Sequence, residues 1–216
     1  MTSAFAVKTM RWLYTKSSVD YIYAAEFMNN TAKAIAAGER DELVWFLEHP
    51  HIFTYGALAK PYEMLKSTNV PIYKTNRGGK YTYHGPGQRI VYAMINVAKR
   101  NVGVKEYVRI LEEWCISALA SVNVKGFLIP NKIGVWVKDS FTRQPSINKI
   151  AAIGIRIVNG VTTHGIAINI DPDLSFFDQI VPCGVSEYGV TSLRKLGVNT
   201  TLSIFDNFLI KNFPIL

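Results

Sequence analysis

The sequence predicts an α+β protein. Apolar runs of strand length recur along the chain, two longer segments carry an amphipathic helical stripe, and the elements do not alternate in strict βαβα order. The 216 residues suffice for a full core, since a chain of this size hides roughly 70% of the surface its unfolded state exposes. No repeat, low-complexity tract or Pro/Ser-rich linker divides residues 1–216, which read as a single domain. A hydrophobic content of 49% against 19% charged residues excludes a disordered chain. No apolar run approaches the roughly 18 residues that span a bilayer, and the stretch MTSAFAVKTMRWLYTK lacks the apolar core of a secretory signal. With only two cysteines, Cys115 and Cys183, a reducing cytoplasm is expected rather than a disulfide framework.

Taken in order, Ser17 and Asp20 have the spacing of a capping box, and Tyr21, Ala25, Met28, Ala32 and Ile35 follow on one helical face that Gly38 terminates. LVWFLEH (43–49) reads as a buried strand and HIFTYG (51–56) as a second extended piece after Pro50. RIVYAMINV (89–97) is another strand. A helix over about 103–121 carries Val104, Val108, Leu111, Cys115 and Ala118 on one stripe. IGVWVK (133–138), KIAAIGIRIV (149–158) and THGIAINI (163–170) complete the strands, with DSFTRQPSIN (139–148) an exposed loop between the first two. Asp171 and Pro172 suit the start of a short helix. Thr191 and Thr201 suit the caps of two more, the last packing Phe205, Phe208 and Leu209.

The stretch RGGKYTYHGPGQ (77–88) holds four glycines among basic and aromatic residues and no carboxylate. A pure turn needs one or two glycines; this many beside rings and charges read as a surface on which backbone approaches a ligand. The formal charge of +8 is uneven: Lys74, Arg77, Lys80, Arg89, Lys99, Arg100, Lys105 and Arg109 face Glu106 alone between residues 71 and 110. Such a surface attracts an acidic partner.

Cys115 falls on the helical stripe and reads as core. Cys183 lies between Pro182 and Gly184, where the chain bends and a thiolate becomes a nucleophile if something lowers its pKa. A thiol in a Pro–Gly turn is not diagnostic by itself. Candidate activators are His84, His164 and Lys149. The first two offer the common Cys–His pair. Lys149 opens an apolar run, where a lysine either snorkels out or, drawn into the apolar pocket, exchanges protons near neutrality.

RGGKYTYHGPGQRIVY, KIAAIGIRI, THGIAINI and VPCGV, in that order, resemble the octanoyltransferases of lipoate biosynthesis; LEHPHIFTYG and IGVWV fit the same pattern, so the resemblance covers roughly residues 40–195. It implies a mixed sheet flanked by helices, the fold of lipoate–protein and biotin–protein ligase catalytic domains. It implies transfer of an octanoyl or lipoyl group from acyl carrier protein to a lysine of lipoyl domains, those of 2-oxoacid dehydrogenase complexes and of the glycine cleavage H protein. Cys183 carries the acyl group as a thioester in this picture, and Lys149 makes its thiol more acidic. The substrate contacts of the family fall on Arg77, Gly78, Gly79, Lys80, Tyr81, Thr82, Tyr83 and His84, on Ala152, Ile153 and Gly154, and on Gly165, Ile166 and Ala167. Tyr81, Tyr83 and His84 are expected to form wall and polar edge, with His84 or His164 in a Cys–His dyad as the second mechanism. Val185 and Arg89 depart from the family's usual residues, and Arg89 is placed on the docking surface.

Thioester exchange is close to isoenergetic and amide formation runs downhill, so neither ATP nor a metal is expected. The chain lacks a GxxxxGK[ST] loop and metal-spaced Cys/His clusters. The alternative is an ATP-dependent lipoate–protein ligase of the same fold, against which Cys183 argues. Basic and aromatic residues interleave in RGGKYTYHG as in single-strand binders, but a charged stretch is more often a solvated face. No nucleic-acid or membrane partner is expected.

Overall fold

The computed structural model describes residues 10–139, 146–181 and 188–214. In chain order the elements are β1 (Arg11–Ser18), α1 (Tyr21–Ala37), β2 (Leu43–Glu48), β3 (Ile52–Tyr55), β4 (Ile72–Lys74), β5 (Thr82–His84), β6 (Gln88–Met94) and α2 (Val104–Ala120). There follow β7 (Gly126–Ile129), β8 (Lys132–Asp139), β9 (Ser146–Val158), β10 (Val161–Asn169), β11 (Gly189–Val190) and α3 (Leu202–Lys211). The large sheet runs β1-β2-β6-β10-β9-β8-β7, with β11 beside β9, and a second sheet runs β4-β3-β5. Parallel pairs (β1·β2, β3·β4, β9·β11) mix with antiparallel ones, as the α+β reading expects.

The apolar runs are continuous because both faces of the central strands are covered. Leu43, Trp45 and Leu47 of β2 and Ile90, Tyr92 and Met94 of β6 meet Ala24, Met28, Ala32 and Ile35 of α1. The alternate residues, Val44, Phe46, Val91 and Ala93, meet Leu111, Trp114 and Cys115 of α2 and Phe205 and Leu209 of α3 on the other side. Burying each of the Leu, Val, Ile, Phe and Met side chains among them contributes about 1.5–3 kcal/mol.

Several local expectations are corrected. Ser17 belongs to β1, a partly exposed strand that the sequence reading missed, and Asp20 alone caps α1 by accepting from the Tyr23 amide at 3.0 Å. Gly38 ends that helix in the left-handed conformation (φ 83°), as expected. Val104 is exposed, its place on the buried α2 stripe taken by Tyr107 and Trp114. The loop read as 139–148 is shorter, because Asp139 pairs with Ser146, Lys138 with Ile147 and Val137 with Asn148. Asp173, not Asp171, caps a short 3-10 helix over Leu174–Gln179 by accepting from the Ser175 amide. Thr191 starts no helix; its amide donates to the Lys149 carbonyl and residues 193–197 form turns. Thr201 caps α3, accepting from the Ile204 amide.

Arg89 is the largest correction. It is buried, and its Nε lies 2.8 Å from Oδ1 of Asp206 on α3, while Nη2 donates to Oδ2 at 3.1 Å. Burial pushes the Asp206 carboxyl up to about 6, with Arg89 pulling the other way. Arg89 thus ties sheet to helix and belongs to no docking surface. Removing one partner of a buried pair strands the other charge. Arg89→Ala should therefore lower stability by about 3–5 kcal/mol in urea melts at neutral pH, whereas Arg89→Met with Asp206→Leu should fall close to the parent. Equal losses in both variants would contradict this account.

Candidate active site

One cavity of about 410 Å³ lies where the large sheet meets the β4-β3-β5 sheet, a size usual for small-ligand sites. Its apolar wall comes from Ile90 of β6, Ala152 and Ile153 of β9, Ile166 and Ala167 of β10, and Val104 and Val108 at the start of α2. Its polar side comes from Tyr21, Thr54, Arg77, Lys80, Thr82, His84, Tyr92, Lys149 and His164, with Gly78, Gly79, Gly154 and Gly165 supplying backbone. At Gly165 a Cβ would stand 2.2 Å from the Val91 carbonyl oxygen, so only glycine lets β10 lie this close to β6. His164 beside it has φ 63°, a costly left-handed backbone for a residue with a side chain, and one held by its surroundings.

Arg77 folds inward. Its guanidinium donates to Gly78 O (2.9 Å), Lys80 O (3.0 Å), Thr54 O (3.0 Å) and Thr54 Oγ1 (2.9 Å). The planar fork closes the glycine-rich loop onto β3, a task a lysine cannot copy. With its oxygen accepting from Arg77, the Thr54 hydroxyl has its proton available for His84 Nε2, 3.3 Å away. Gln88 fixes the other nitrogen. Its amide nitrogen donates to Asn169 Oδ1 and Tyr83 O, which leaves Oε1 to accept from His84 Nδ1 at 2.7 Å. His84 is therefore the Nδ1-protonated neutral tautomer. His49 Nδ1 donates to Val19 O at 2.6 Å, so Nε2 accepts from the Tyr92 hydroxyl at 2.7 Å. His164 Nε2 meets the Tyr21 hydroxyl at 3.2 Å. Burial lowers His84 and His164 to about 3 and His49 to about 4. The positive charge of Arg77 contributes to the lowering of the first two.

Lys149 reaches the cavity through a bulge. Val135 pairs with Ala151 but Trp136 pairs with Lys149, which makes Ile150 an extra residue on β9. In an unbroken strand Lys149 and Ala152, three apart, would face opposite sides; the bulge brings both to the cavity. The ammonium donates to Ile133 O at 2.9 Å and sits 4.6 Å above the Trp136 ring. Cys183 lies outside the described residues, as do Pro182, Gly184 and Val185. The chain on either side of that segment is well tied. Before it, Ile180 bridges Met64 and the Val181 amide donates to Glu63 O at 2.7 Å. Beyond it, Tyr188 packs edge-on against Trp136, and β11 pairs Gly189 with Asn148 and Val190 with Lys149.

Of the remaining sequence candidates, Tyr81 and Tyr83 do not line the cavity. On β5 the alternation turns Thr82 and His84 inward, and Tyr83 packs on Phe53, Phe176 and Phe177 behind them. Tyr81 stacks on Tyr55. Tyr21, Thr54, Tyr92, Ile133 and the His49 network were not foreseen. Thr54 left a trace, a polar residue inside an apolar strand. The basic surface also shrinks: besides Arg77 and Arg89, Lys80 pairs with Glu63, Arg100 with Glu42 and Arg109 with Glu113. Lys74, Lys99 and Lys105 stay exposed. Among the described residues no three His, Cys, Asp or Glu side chains cluster closely enough to hold a metal, and no helix is long and apolar enough to cross a membrane.

Residues 20–214 match the lipoyl protein ligase A/B catalytic domain family. The chain is 46% identical over 205 residues to an octanoyltransferase of Paramagnetospirillum magneticum, covering 95% of each, and 47% identical to one of Ehrlichia canis, covering 94% of each. Among solved structures it superposes on an ATP-bound lipoate-protein ligase A (TM-score 0.68, 14% identity, 94% of this chain and 83% of that one). It superposes equally on a bipartite lipoate protein ligase from Thermoplasma acidophilum (TM-score 0.68, 13% identity, 95% and 83%).

Three neutral buried imidazoles make stability depend on pH. Each falls from an ordinary 6.5 to about 3 or 4, so the unfolded chain binds more protons and acid favours it. Their contribution is complete above pH 6.5 and drains as pH falls toward 4 for His49 and toward 3 for His84 and His164; at pH 5 each has lost on the order of 2 kcal/mol. Asp206, raised by burial, opposes this by on the order of 1 kcal/mol. Thermal melts should show a lower Tm at pH 5 than at pH 7.5, and an equal or higher Tm would refute the neutral assignment.

Proposed function

Since this chain belongs to the octanoyltransferase family of lipoyl protein ligase A/B catalytic domains, we propose that it moves an octanoyl or lipoyl chain from acyl carrier protein to a lysine of a lipoyl domain through a thioester on Cys183. The chain is an acyltransferase acting in protein lipoylation; the donor, the thioester and the acceptor lysine are our reading. What carries it is the placement of Lys149. A buried ammonium stands in the wall of an apolar cavity, and the strand leaving the Cys183 segment pairs with it at Val190.

The cavity takes the acyl chain along Ile90, Ala152, Ile153, Ile166 and Ala167. Sequestering about seven methylenes contributes roughly 5 kcal/mol before ordering costs. Lys149 holds the Cys183 thiol proton as its ammonium, and the thiolate attacks the donor thioester. The carrier thiolate leaves, regaining that proton from Lys149. The acceptor lysine amine then attacks the Cys183 thioester, giving up a proton to the now neutral Lys149 amine as the amide forms and the cysteine thiolate departs, which restores the thiolate–ammonium pair. Arg77, Gly78, Gly79, Lys80, Thr82, His84, Ala152, Ile153, Gly154, Gly165, Ile166 and Ala167 hold the substrate in this reading. Tyr81 and Tyr83 support the loop from behind. The acceptors are lipoyl domains of 2-oxoacid dehydrogenase complexes and the glycine cleavage H protein. Residues 1–216 act as one catalytic domain, and the thiol chemistry suits a reducing cytoplasm. The exposed Lys74, Lys99 and Lys105 attract the acidic carrier. Cys115 takes no part: it is fully buried, and burial raises its thiol far above the usual range.

Intact-protein mass spectrometry after incubation with octanoyl-carrier should show one adduct, mapping to Cys183. Cys183→Ala should abolish transfer, whereas Cys115→Ala should keep it. Lys149→Ala should lower kcat by about 10²–10⁴-fold. Transfer should proceed without ATP; a strict ATP requirement, or an adduct on Cys115, would defeat the proposal.

A further inference from the structure

Glu112 is a carboxylate on the buried stripe of α2, between Leu111 and Cys115, and only 8% exposed. Such a group is costly to bury unless it is hydrogen-bonded. It accepts from the Gly134 amide at 2.9 Å. That N–H belongs to the same peptide unit as the Ile133 carbonyl, which accepts from Lys149 Nζ at 2.9 Å. One peptide group therefore stands between a carboxylate and an ammonium, its N–H toward the first and its C=O toward the second. The two bonds polarise each other through the peptide.

The surroundings leave this peptide little choice. Gly134 has φ 123°, and a Cβ there would stand 2.7 Å from Ala151 O and 3.1 Å from Lys149 Cε. The strand thus presses against the lysine stem, and the peptide plane is set by what holds its N–H. Trp136 covers the ammonium from one side. Burial raises the Glu112 carboxyl above the usual carboxylate range, while the Gly134 amide, Arg109 and Lys149 act to lower it and Glu113 to raise it.

We propose that Glu112 is a positioning residue for Lys149: through the Ile133–Gly134 peptide it fixes where the lysine nitrogen stands in the cavity wall. This rests on the role given to Lys149 above. Glutamine keeps an oxygen that accepts from Gly134. Aspartate keeps the charge but withdraws the oxygen by one methylene, and alanine removes both.

The test uses the full chain, with octanoyl-carrier and a lipoyl domain as substrates, and iodoacetamide alkylation of Cys183 as a second readout. Glu112→Ala should lower kcat by about 10–100-fold, as misplacement of a reacting group does, with KM for the carrier unchanged. Glu112→Gln should restore most of kcat and Glu112→Asp should not, a comparison that stands even where Glu112→Ala fails to fold. Alkylation near neutral pH should slow in Glu112→Ala and in Lys149→Ala, with no further slowing in the double variant. Parental kcat in Glu112→Asp, failure of Glu112→Gln to rescue, or additive slowing in the double variant would overturn the positioning role. Parental activity and alkylation in Lys149→Ala would instead overturn the role of the lysine, and this inference with it.

Discussion

The buried guanidinium of Arg77 is the constraint around which the site is organised. A cation removed from water must be met by oxygens, and here the carbonyls of Thr54, Gly78 and Lys80 and the Thr54 hydroxyl meet it. Those bonds decide the shape of the glycine-rich loop, because three of the acceptors are backbone atoms. They also decide the hydroxyl direction of Thr54 and so the tautomer of His84. Lys80, carried on the same loop, pairs with Glu63, whose carbonyl accepts from the Val181 amide. The chain entering the Cys183 segment is in this way tied to the loop that Arg77 closes. The chain leaving that segment is tied to Lys149. The positive charge of the loop, so prominent in the sequence, is spent inward as much as outward.

The large sheet was legible because its pattern is local. Runs such as LVWFL and RIVYAMI have no polar side, which means two covered faces, and α1 on one side with α2 and α3 on the other supply the covers. The order VPCGV after THGIAINI after KIAAIGIRI carried the family resemblance, and the relatives bear it out. What escaped depends on pairings across long sequence separations. Nothing near Arg89 announces Asp206, which lies on the last helix. Tyr81 and Tyr83 looked like cavity walls because they sit in the signature, yet a strand shows only alternate residues to one side, and the phase of β5 selects Thr82 and His84. β1 was missed because its edge position leaves most of its residues partly or fully exposed, without a clean alternation.

The bulge in β9 shows how one inserted residue separates two functions of a single strand. Ala151 and Ile155 pack toward α2 and α3. Were the ladder regular, Lys149 would share that side, where an ammonium among leucines and valines would be expensive. The extra residue, Ile150, takes the core position, and Lys149 turns to the cavity. β10 pairs with β9 only as far as Ala151, and β11 takes the vacated edge beside Asn148 and Lys149. The strand is regular where it must be core and irregular where it must carry a charge.

The histidines bear on which group handles the proton. A Cys–His pair needs an imidazole that accepts a proton from a thiol of ordinary pKa about 8.5. His84 and His164 stand at about 3, held there by burial and by Arg77. The gap of roughly five units corresponds to about 7 kcal/mol against moving the proton, before the attraction between the two charges is counted. Each imidazole is also occupied: His84 lies between Gln88 and Thr54, and His164 meets Tyr21 and Thr163. Neutral, fixed and with both ring nitrogens engaged, they shape the pocket. Lys149 differs in kind, since its nitrogen meets a carbonyl and a ring face and lies next to the strand that leaves the Cys183 segment. The same burial that disarms the imidazoles disfavours any second charge in the cavity unless an opposite one accompanies it. A thiolate formed beside an ammonium meets that condition, and one formed beside a neutral imidazole does not.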